Sequence, residues 1–158
     1  MIKYFILQPQ NVTLKFATGS KGASGYDLCS ANDMPREITA GGRFVFRTGI
    51  FLEMPAGVEA QIRGRSGLTR DWGVGPMGIG TVDSDYRGEI SVVIFNIGHA
   101  PYTVNTGDRI AQLVFAPVLP AYAAIQQPEY NLTVVEVMDK KQLQGTDRGA
   151  SGFGSTGR

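Results

Sequence analysis

Cysteine, histidine and tryptophan each occur only once in this chain of 158 residues. A single cysteine, Cys29, cannot form an internal disulfide, and one cysteine with one histidine cannot complete a zinc site of the standard ligand count. We interpret Cys29 as a buried, unreactive thiol and His99, within a turn-like Gly-His-Ala-Pro sequence, as a solvated loop residue. The chain is therefore neither a disulfide scaffold nor a standard zinc protein.

Charge is also sparse, since Asp, Glu, Lys and Arg make up 18% of the residues and sum to a formal charge of +1. That balance argues against a broad electrostatic surface for nucleic acid or an anionic membrane. No apolar run approaches the roughly 18 residues of a membrane span. The apolar Met1–Leu7 contains Lys3 and is followed by no signal-peptide cleavage site. We expect a cytoplasmic protein, nuclear or host-cell if of viral origin, with no nucleic-acid or membrane partner.

Glycine is in excess, with 21 residues, and it is unevenly distributed. Seven glycines fall within 64–88 and five within 145–158, whereas 108–144 contains none. Because glycine lets the backbone approach a ligand closely, these two patches indicate a binding site. Hydrophobic residues make up 42% of the chain, which is enough for the core of a single domain.

The hydrophobic pattern is strand-like almost throughout, and no long segment keeps a helical period, so we expect at most one or two short helices. The candidate strands are Val12–Phe16, Arg43–Met54, Glu59–Arg63, Glu89–Asn96, Tyr102–Asn105, Arg109–Val118 and Leu132–Val137. Short strands between turn signals indicate an all-β sandwich, barrel or jelly roll, which we expect to be one domain over 1–144. The Gly/Ser/Thr-rich residues 145–158 are predicted to form a flexible C-terminal arm that orders over a ligand.

Two segments place charged groups beside glycines. Arg63–Thr69 offers two guanidinium groups, a hydroxyl and exposed amides to a polyanion, although a turn with solvated arginines is the alternative. In Gly78–Glu89, Asp83 and Asp85 share one face of an extended chain. With Tyr86 nearby, these carboxylates can supply a general base, a metal partner or a salt bridge. The alternative is a polar hairpin tip with Asp–Arg pairing.

The order of the motifs is more specific than any one of them. Five segments closely resemble, in order, the five motifs of the trimeric dUTPases: Ala23–Leu28, Gly64–Leu68, Gly80–Glu89, Gly107–Leu113 and Arg148–Gly157. The resemblance spans residues 23–157, and it implies a homotrimer of distorted β jelly rolls (the β-clip fold) with shared active sites. It implies hydrolysis of dUTP to dUMP and pyrophosphate with Mg²⁺, which lowers dUTP and supplies dUMP for thymidylate synthesis.

The resemblance also implies roles for individual residues. Asp83 resembles the base that activates the attacking water, and Asp27 the acid that reaches Mg²⁺ through water. Tyr86 resembles the ring that packs under deoxyribose and leaves no room for a 2′-hydroxyl. The other substrate-binding residues implied are Arg65, Ser66, Gly67 and Gln112 for phosphates, Gly80, Thr81 and Val82 for the base, and Arg148, Phe153, Gly154, Ser155 and Thr156 in the arm. Among these, Phe153 resembles the ring stacked on uracil, and Arg148, Ser155 and Thr156 the γ-phosphate contacts.

The sequence departs from the family pattern at two positions. Many members carry proline where Gly64 stands, and many carry asparagine where Met77 stands, six residues before Asp83. The fold-related dCTP deaminases are an alternative, but they lack the combination of Asp-x-Asp-Tyr and a Gly-Phe-Gly-Ser-Thr-Gly tail. A nucleotide-gated regulatory protein and a carbohydrate-binding jelly roll are further alternatives. The second is disfavoured by the single tryptophan, Trp72.

Overall fold

A computed structural model describes residues 1–118 and 134–150. The strands in these ranges are β1 (Ile2–Ile6), β2 (Tyr26–Cys29), β3 (Arg36–Ile38), β4 (Arg43–Arg47), β5 (Ile50–Glu53), β6 (Val58–Arg63), β7 (Val74–Gly75), β8 (Gly80–Val82), β9 (Ser91–Asn96), β10 (Tyr102–Val104), β11 (Arg109–Pro117) and β12 (Val134–Glu136). One α-helix, α1 (Ser66–Trp72), and one 3-10 turn, Lys140–Gln142, complete the described elements. The prediction of an all-β chain with one or two short helices is confirmed.

The strands form four small sheets with the orders β12-β1-β5, β10-β3, β2-β11-β6-β8 and β4-β9-β7. All pairs are antiparallel except β1 with β12. The sheets enclose one hydrophobic core in the predicted distorted jelly roll. Among the described residues, no helix has the length and apolar character needed to cross a membrane.

The core is built from the inward side chains of these strands, and β6 and β9 alternate between buried and more exposed residues. In β9, Val92, Ile94 and Asn96 are buried while the residues between them are half-exposed. The largest fully buried side chains are Phe46, Ile2, Leu28, Ile38, Leu52, Ile90, Ile94, Ile110, Leu113, Val74, Val92 and Val104. Burying an aliphatic or aromatic side chain of this size contributes about 1.5–3 kcal/mol, so this set supplies much of the stability.

A two-residue break at Thr48 and Gly49 divides the predicted run Arg43–Met54 into β4 and β5. Gly49 in this break has a φ of 70°. A Cβ at Gly49 would also collide with the Leu7 carbonyl oxygen, so both the conformation and the space require glycine. The two strands therefore belong to different sheets, with β4 against β9 and β5 against β1.

The predicted strand Val12–Phe16 is wrong as an assignment, because no ladder pairing forms there in the described structure. Its alternation is real, since Leu14 and Phe16 are buried between exposed neighbours. The Gln8 side chain takes the place of a neighbouring strand. Its Nε2 donates to the Leu14 carbonyl oxygen at 3.0 Å, and its Oε1 accepts from the Leu14 N–H at 2.6 Å.

Candidate active site

The register of the central sheet brings together residues from three distant motifs. Strand β11 lies between β2 and β6, and its Gln112 stands opposite Asp27 on one side and Arg63 on the other. Beyond the end of β6, Arg65 turns back so that its Nε lies 3.4 Å from Asp27 Oδ1. Arg109 Nη1 lies 3.2 Å from Asp27 Oδ2. We call Asp27, Arg65, Arg109 and Gln112 the Asp27 group.

Close packing fixes the position of Gln112 in this group. Its Nε2 donates to the Gly64 carbonyl oxygen at 2.8 Å. A Cβ at Gly25 would collide with the Gln112 amide oxygen, so glycine is needed there for space. Nearby Cys29 is partly rather than fully buried, and burial, followed by the Asp27 charge, raises its thiol pKa. A raised thiol pKa supports the interpretation of Cys29 as unreactive.

The segment Arg63–Thr69 is not a simple turn, since helix α1 begins within it. Arg65 precedes the helix in an extended conformation, and Ser66 and Gly67 lie exposed in its first turn. Gly73 ends the helix with a φ of 64°. The helix is only seven residues long, and no residue in it is buried. Arg65 therefore reaches Asp27 because it directly follows the end of β6, not because the helix is packed into the core.

A second group of candidate site residues lies where β8 ends. The Tyr86 N–H donates to the Asp83 carbonyl oxygen at 3.1 Å, which closes a turn. Because the chain bends, both carboxylates of this turn face Arg148. The guanidinium Nη1 of Arg148 donates to Asp83 and, at 3.2 Å, to Asp85. We call Asp83, Asp85, Tyr86 and Arg148 the Asp83 group.

The hairpin-tip alternative does not describe this segment. Strand β8 pairs with β6, while β9 pairs with β4 and β7. The adjacent Arg87 binds backbone carbonyls instead of pairing with an aspartate. It donates to Ser84 O at 2.7 Å, to Tyr86 O at 3.0 Å and to Gln144 O at 2.6 Å. The Asp–Arg pairing is therefore made by a residue from the far end of the chain.

A cavity of about 470 Å³ lies beside the Asp83 group. It is lined by Ile62, Pro76, Met77, Gly78, Ile79, Gly80, Thr81, Val82, Asp83, Tyr86, Ile90, Ser91, Val92, Val93, Phe95 and Arg148. Within the described residues β8 pairs with β6 alone, so its other edge offers backbone N–H and C=O groups to a ligand. A largely apolar cavity with one polar strand edge, one carboxylate and one guanidinium is suited to a small, partly anionic molecule.

The base of the C-terminal arm packs against this same turn. The Gln144 N–H donates to Glu53 Oε2 at 2.5 Å, and Thr146 Oγ1 donates to the Asp85 carbonyl oxygen at 2.5 Å. Although burial alone would raise the pKa of Glu53, the Gln144 hydrogen bond and Lys3 Nζ, 3.0 Å away, lower it. These contacts hold Gln144 and Thr146 against Glu53 and Asp85, a few residues ahead of Arg148 in the chain.

The described residues form two groups rather than one complete site. The cavity lining includes Gly80, Thr81, Val82, Asp83, Tyr86 and Arg148 but, within 1–118 and 134–150, none of Asp27, Arg65, Ser66, Gly67 and Gln112. The predicted residues Phe153, Gly154, Ser155 and Thr156 lie outside the described residues. In the same two ranges no cluster of three or more His, Cys, Asp or Glu side chains could hold a metal ion unaided.

The prediction from sequence left Arg109 out of the site. Arg109 and Gln112 are three residues apart, so simple strand alternation would direct them to opposite faces. A register shift between Arg109 and Ala111 brings Arg109 to the Asp27 side instead. No turn or glycine signal in Arg109–Leu113 marks this irregularity. Only the Gly-Asp-Arg motif itself could have identified Arg109.

Comparison with known proteins places this geometry in a family. The family model described as dUTPase matches residues 15–157. The chain is 42% identical over 158 residues to the deoxyuridine 5′-triphosphate nucleotidohydrolase of Ehrlichia canis (strain Jake), covering 99% of this chain and 95% of that relative. It is 46% identical over 138 residues to the enzyme of the same name from Anaeromyxobacter sp. (strain Fw109-5), covering 87% of this chain and 83% of that one.

Solved structures give the same result for the fold. The crystal structure of the dUTPase from Streptococcus mutans superposes with a TM-score of 0.68 at 26% identity, covering 77% of this chain and 99% of that one. The dUTPase of phage phi11 of S. aureus superposes with a TM-score of 0.67 at 19% identity, covering 82% of this chain and 99% of that one. Both likenesses agree with the jelly-roll assignment.

Proposed function

This chain belongs to the dUTPase family and hydrolyses dUTP, and we propose that the two groups described above divide the work of that reaction. The Asp83 group binds the nucleoside and activates water, while the Asp27 group binds phosphates. The observation that carries this proposal is the cavity in which the edge strand β8 ends at Asp83. This cavity places a polar backbone edge for a base beside a carboxylate for the reaction.

The edge of β8 reads the uracil base in this proposal. Uracil presents an N3–H donor and an O4 acceptor, and backbone C=O and N–H groups of Gly80, Thr81 and Val82 can pair with both. Cytosine reverses this pattern and would leave buried polar groups unpaired, which is a strong basis for discrimination. Tyr86, in the wall of the cavity, lies under the deoxyribose and excludes a 2′-hydroxyl.

Asp83 acts as the general base. Its side chain is 52% exposed, so water can reach the carboxylate. Asp83 accepts a proton from that water while the water oxygen bonds to the α-phosphorus. The bond from the α-phosphorus to the bridging oxygen breaks, and pyrophosphate leaves while dUMP remains. Arg148 covers Asp83 in the described structure, so its transfer to the γ-phosphate would free Asp83 for this role.

The Asp27 group binds the phosphate chain. Arg65 and Gln112 supply N–H donors, and Ser66 and Gly67 add exposed polar groups at the start of α1. The donor set fits an Mg²⁺ ion carried mainly by the triphosphate, because Asp27 is a single carboxylate already paired with two arginines. Asp27 would then hold the ion through water. When bound, Mg²⁺ neutralises phosphate charge and makes the α-phosphorus more electrophilic.

A homotrimer completes the site in this proposal. The cavity does not contain the Asp27 group of its own chain among the described residues, so another copy must supply phosphate ligands to it. The arm, residues 145–158, then closes over the site with Phe153 on uracil and with Ser155 and Thr156, flanked by Gly154, on the γ-phosphate. Closure of this kind excludes bulk solvent while keeping the attacking water, and it orients the triphosphate.

Substrate comparison tests the nucleotide assignment. We expect pyrophosphate release from dUTP with Mg²⁺, and rates lower by at least about 100-fold for UTP, dTTP and dCTP, because the contacts to the base and sugar reject each of them. Chelation of Mg²⁺ should lower the dUTP rate strongly. Similar rates for dUTP and UTP would contradict the role of the cavity, and an unchanged rate after chelation would contradict the role of Mg²⁺.

Mixed trimers test the sharing of sites. Asp83→Asn and Arg65→Ala should each be nearly inactive as pure proteins. If every site takes Asp83 from one chain and Arg65 from another, random mixing of the two variants should restore about a quarter of wild-type activity. If both residues of a site come from the same chain, mixing restores none. Size-exclusion chromatography with light scattering provides the control that both variants still assemble.

A further inference from the structure

The Tyr86 ring is held in place by contacts outside the cavity. Its hydroxyl donates to the Glu89 carbonyl oxygen at 3.0 Å. Burial raises the pKa of this hydroxyl, more than the nearby Arg148 charge lowers it, so the group stays a donor at neutral pH. The Tyr86 carbonyl oxygen also accepts from Arg87 Nη1 at 3.0 Å. The hydroxyl and the backbone carbonyl of Tyr86 are therefore both hydrogen-bonded to residues that follow it in the chain.

Gly88 lies directly against the ring. A Cβ at Gly88 would stand 2.5 Å from Tyr86 Cζ and 2.8 Å from Cε2, and it would also collide with the hydroxyl oxygen. Among the described residues, Gly88 is not one of the glycines with a positive φ, so its backbone conformation is open to alanine. Glycine is required here for space, and any larger residue must displace the Tyr86 ring.

Glu89 ties the acceptor of the Tyr86 hydroxyl to the core. Its Oε1 accepts from the Gly49 N–H at 2.9 Å, and its Oε2 lies 3.1 Å from Arg47 Nε. The next residue, Ile90, donates from its N–H to Ile50 O at 2.8 Å and is 1% exposed. At the junction of β4 and β5, Gly49 has a positive φ and no room for a Cβ, so its N–H lies at a closely packed position. The Glu89 carbonyl therefore offers the ring a fixed anchor.

We infer that Gly88 and Glu89 are positioning residues that set the selectivity for deoxyribose through Tyr86. Neither lines the cavity within the described residues, so neither is placed to touch the sugar. Gly88 lets the ring approach the backbone, and Glu89 fixes its hydroxyl. The inference rests on the proposed role of Tyr86 in excluding a 2′-hydroxyl. A ring displaced from this position would no longer meet the sugar where a 2′-hydroxyl would lie, so the discrimination against UTP would weaken.

The test measures kcat/KM for dUTP and for UTP in Gly88→Ala and Glu89→Ala. We expect the dUTP/UTP ratio to fall at least about tenfold in both, within the range that one small group in a shaped pocket can discriminate. Glu89→Gln should stay near the wild-type ratio, because its amide oxygen can still accept from the Gly49 N–H. Gly19→Ala is the matched control, since Gly19 has no positive φ and its Cβ would meet no atom within 4 Å.

A double-mutant cycle separates positioning from general damage. In a Tyr86→Ala background, Gly88→Ala should not change the ratio further, because both substitutions act through the same ring. An additional fall in that background would overturn the inference, as would a wild-type ratio in both Gly88→Ala and Glu89→Ala. If Gly88→Ala does not fold, Glu89→Ala against Glu89→Gln decides. A wild-type ratio in Tyr86→Ala alone would instead refute the proposed role of Tyr86, and the inference with it.

Discussion

Replacing Thr48 by valine isolates the two buried hydrogen bonds of one hydroxyl, which reach Ile50 and the cavity-lining Ile90. Thr48 is 1% exposed. Its Oγ1 donates to the Ile90 carbonyl oxygen at 2.6 Å and accepts from the Ile50 N–H at 3.2 Å. Valine has nearly the same shape as threonine, so Thr48→Val keeps the packing and removes only the hydroxyl. The Ile90 carbonyl and the Ile50 N–H then lose this partner in a site that water does not reach.

The cost follows from those two contacts. Leaving a buried donor or acceptor unpaired costs about 1–3 kcal/mol, and the Ile50 contact is the longer and weaker one, so we expect a loss of about 2–4 kcal/mol. Thr48→Ser keeps the hydroxyl and removes one methyl group, which costs about 1 kcal/mol. The expected order of stability is wild type, then Thr48→Ser, then Thr48→Val. Hydrophobic burial alone would place Thr48→Val first.

Urea unfolding followed by circular dichroism measures this order. With a slope of about 2 kcal/mol per M, the midpoint should fall by about 1–2 M in Thr48→Val and by about 0.5 M in Thr48→Ser. All three proteins must be compared at one concentration, because assembly adds to apparent stability. A Thr48→Val protein at least as stable as Thr48→Ser would refute the reasoning that this hydroxyl satisfies two buried backbone groups.

Two further predictions concern the arm. Deleting 146–158 should lower kcat by about 100-fold or more, because the arm supplies contacts to the triphosphate. The midpoint of unfolding should stay nearly unchanged, because no described core residue lies beyond Leu143. An unchanged kcat would contradict closure of the arm over the site. The pKa of Glu53 is lowered in the fold from its ordinary 4.5, so it adds stability above that pH and loses this contribution as the pH falls through the folded value. Melting temperatures from about pH 7 to pH 3 should therefore fall less steeply in Glu53→Gln than in the wild type, and equal slopes would contradict the assigned contacts.

Part of the fold could be predicted from residue patterns, because strands such as β6 and β9 alternate between buried and more exposed residues along their length. The strands β6, β9, β10 and β11 agree with their predictions within about two residues at each end. The pattern of Val12–Phe16 was equally clean, yet the Gln8 amide, not a strand, occupies the Leu14 backbone groups. Alternation reports which side chains are buried, and it does not report what the backbone pairs with.

In the site, too, residue patterns identify the residues but do not report their contacts. Motif order located Asp83, Tyr86 and Arg148, and the structure brings them together at one cavity. The part played by Arg109 depends on a register shift in β11, and the place of Arg148 beside Asp83 depends on a contact across 65 residues. Gly88 and Glu89 belong to a motif, but nothing in the motif shows that they hold the Tyr86 ring. Such contacts are set by tertiary packing, which residue patterns do not encode.

The most direct test of the proposed mechanism is the activity of Asp83→Asn compared with its binding of dUTP. Asparagine keeps the shape and can still accept a hydrogen bond from Arg148, but it cannot take a proton from water. We predict dUTP binding with Mg²⁺ within about threefold of the wild type and a kcat lower by at least about 1,000-fold in single-turnover pyrophosphate release. A variant that binds dUTP and turns it over at the wild-type rate would show that Asp83 is not the base.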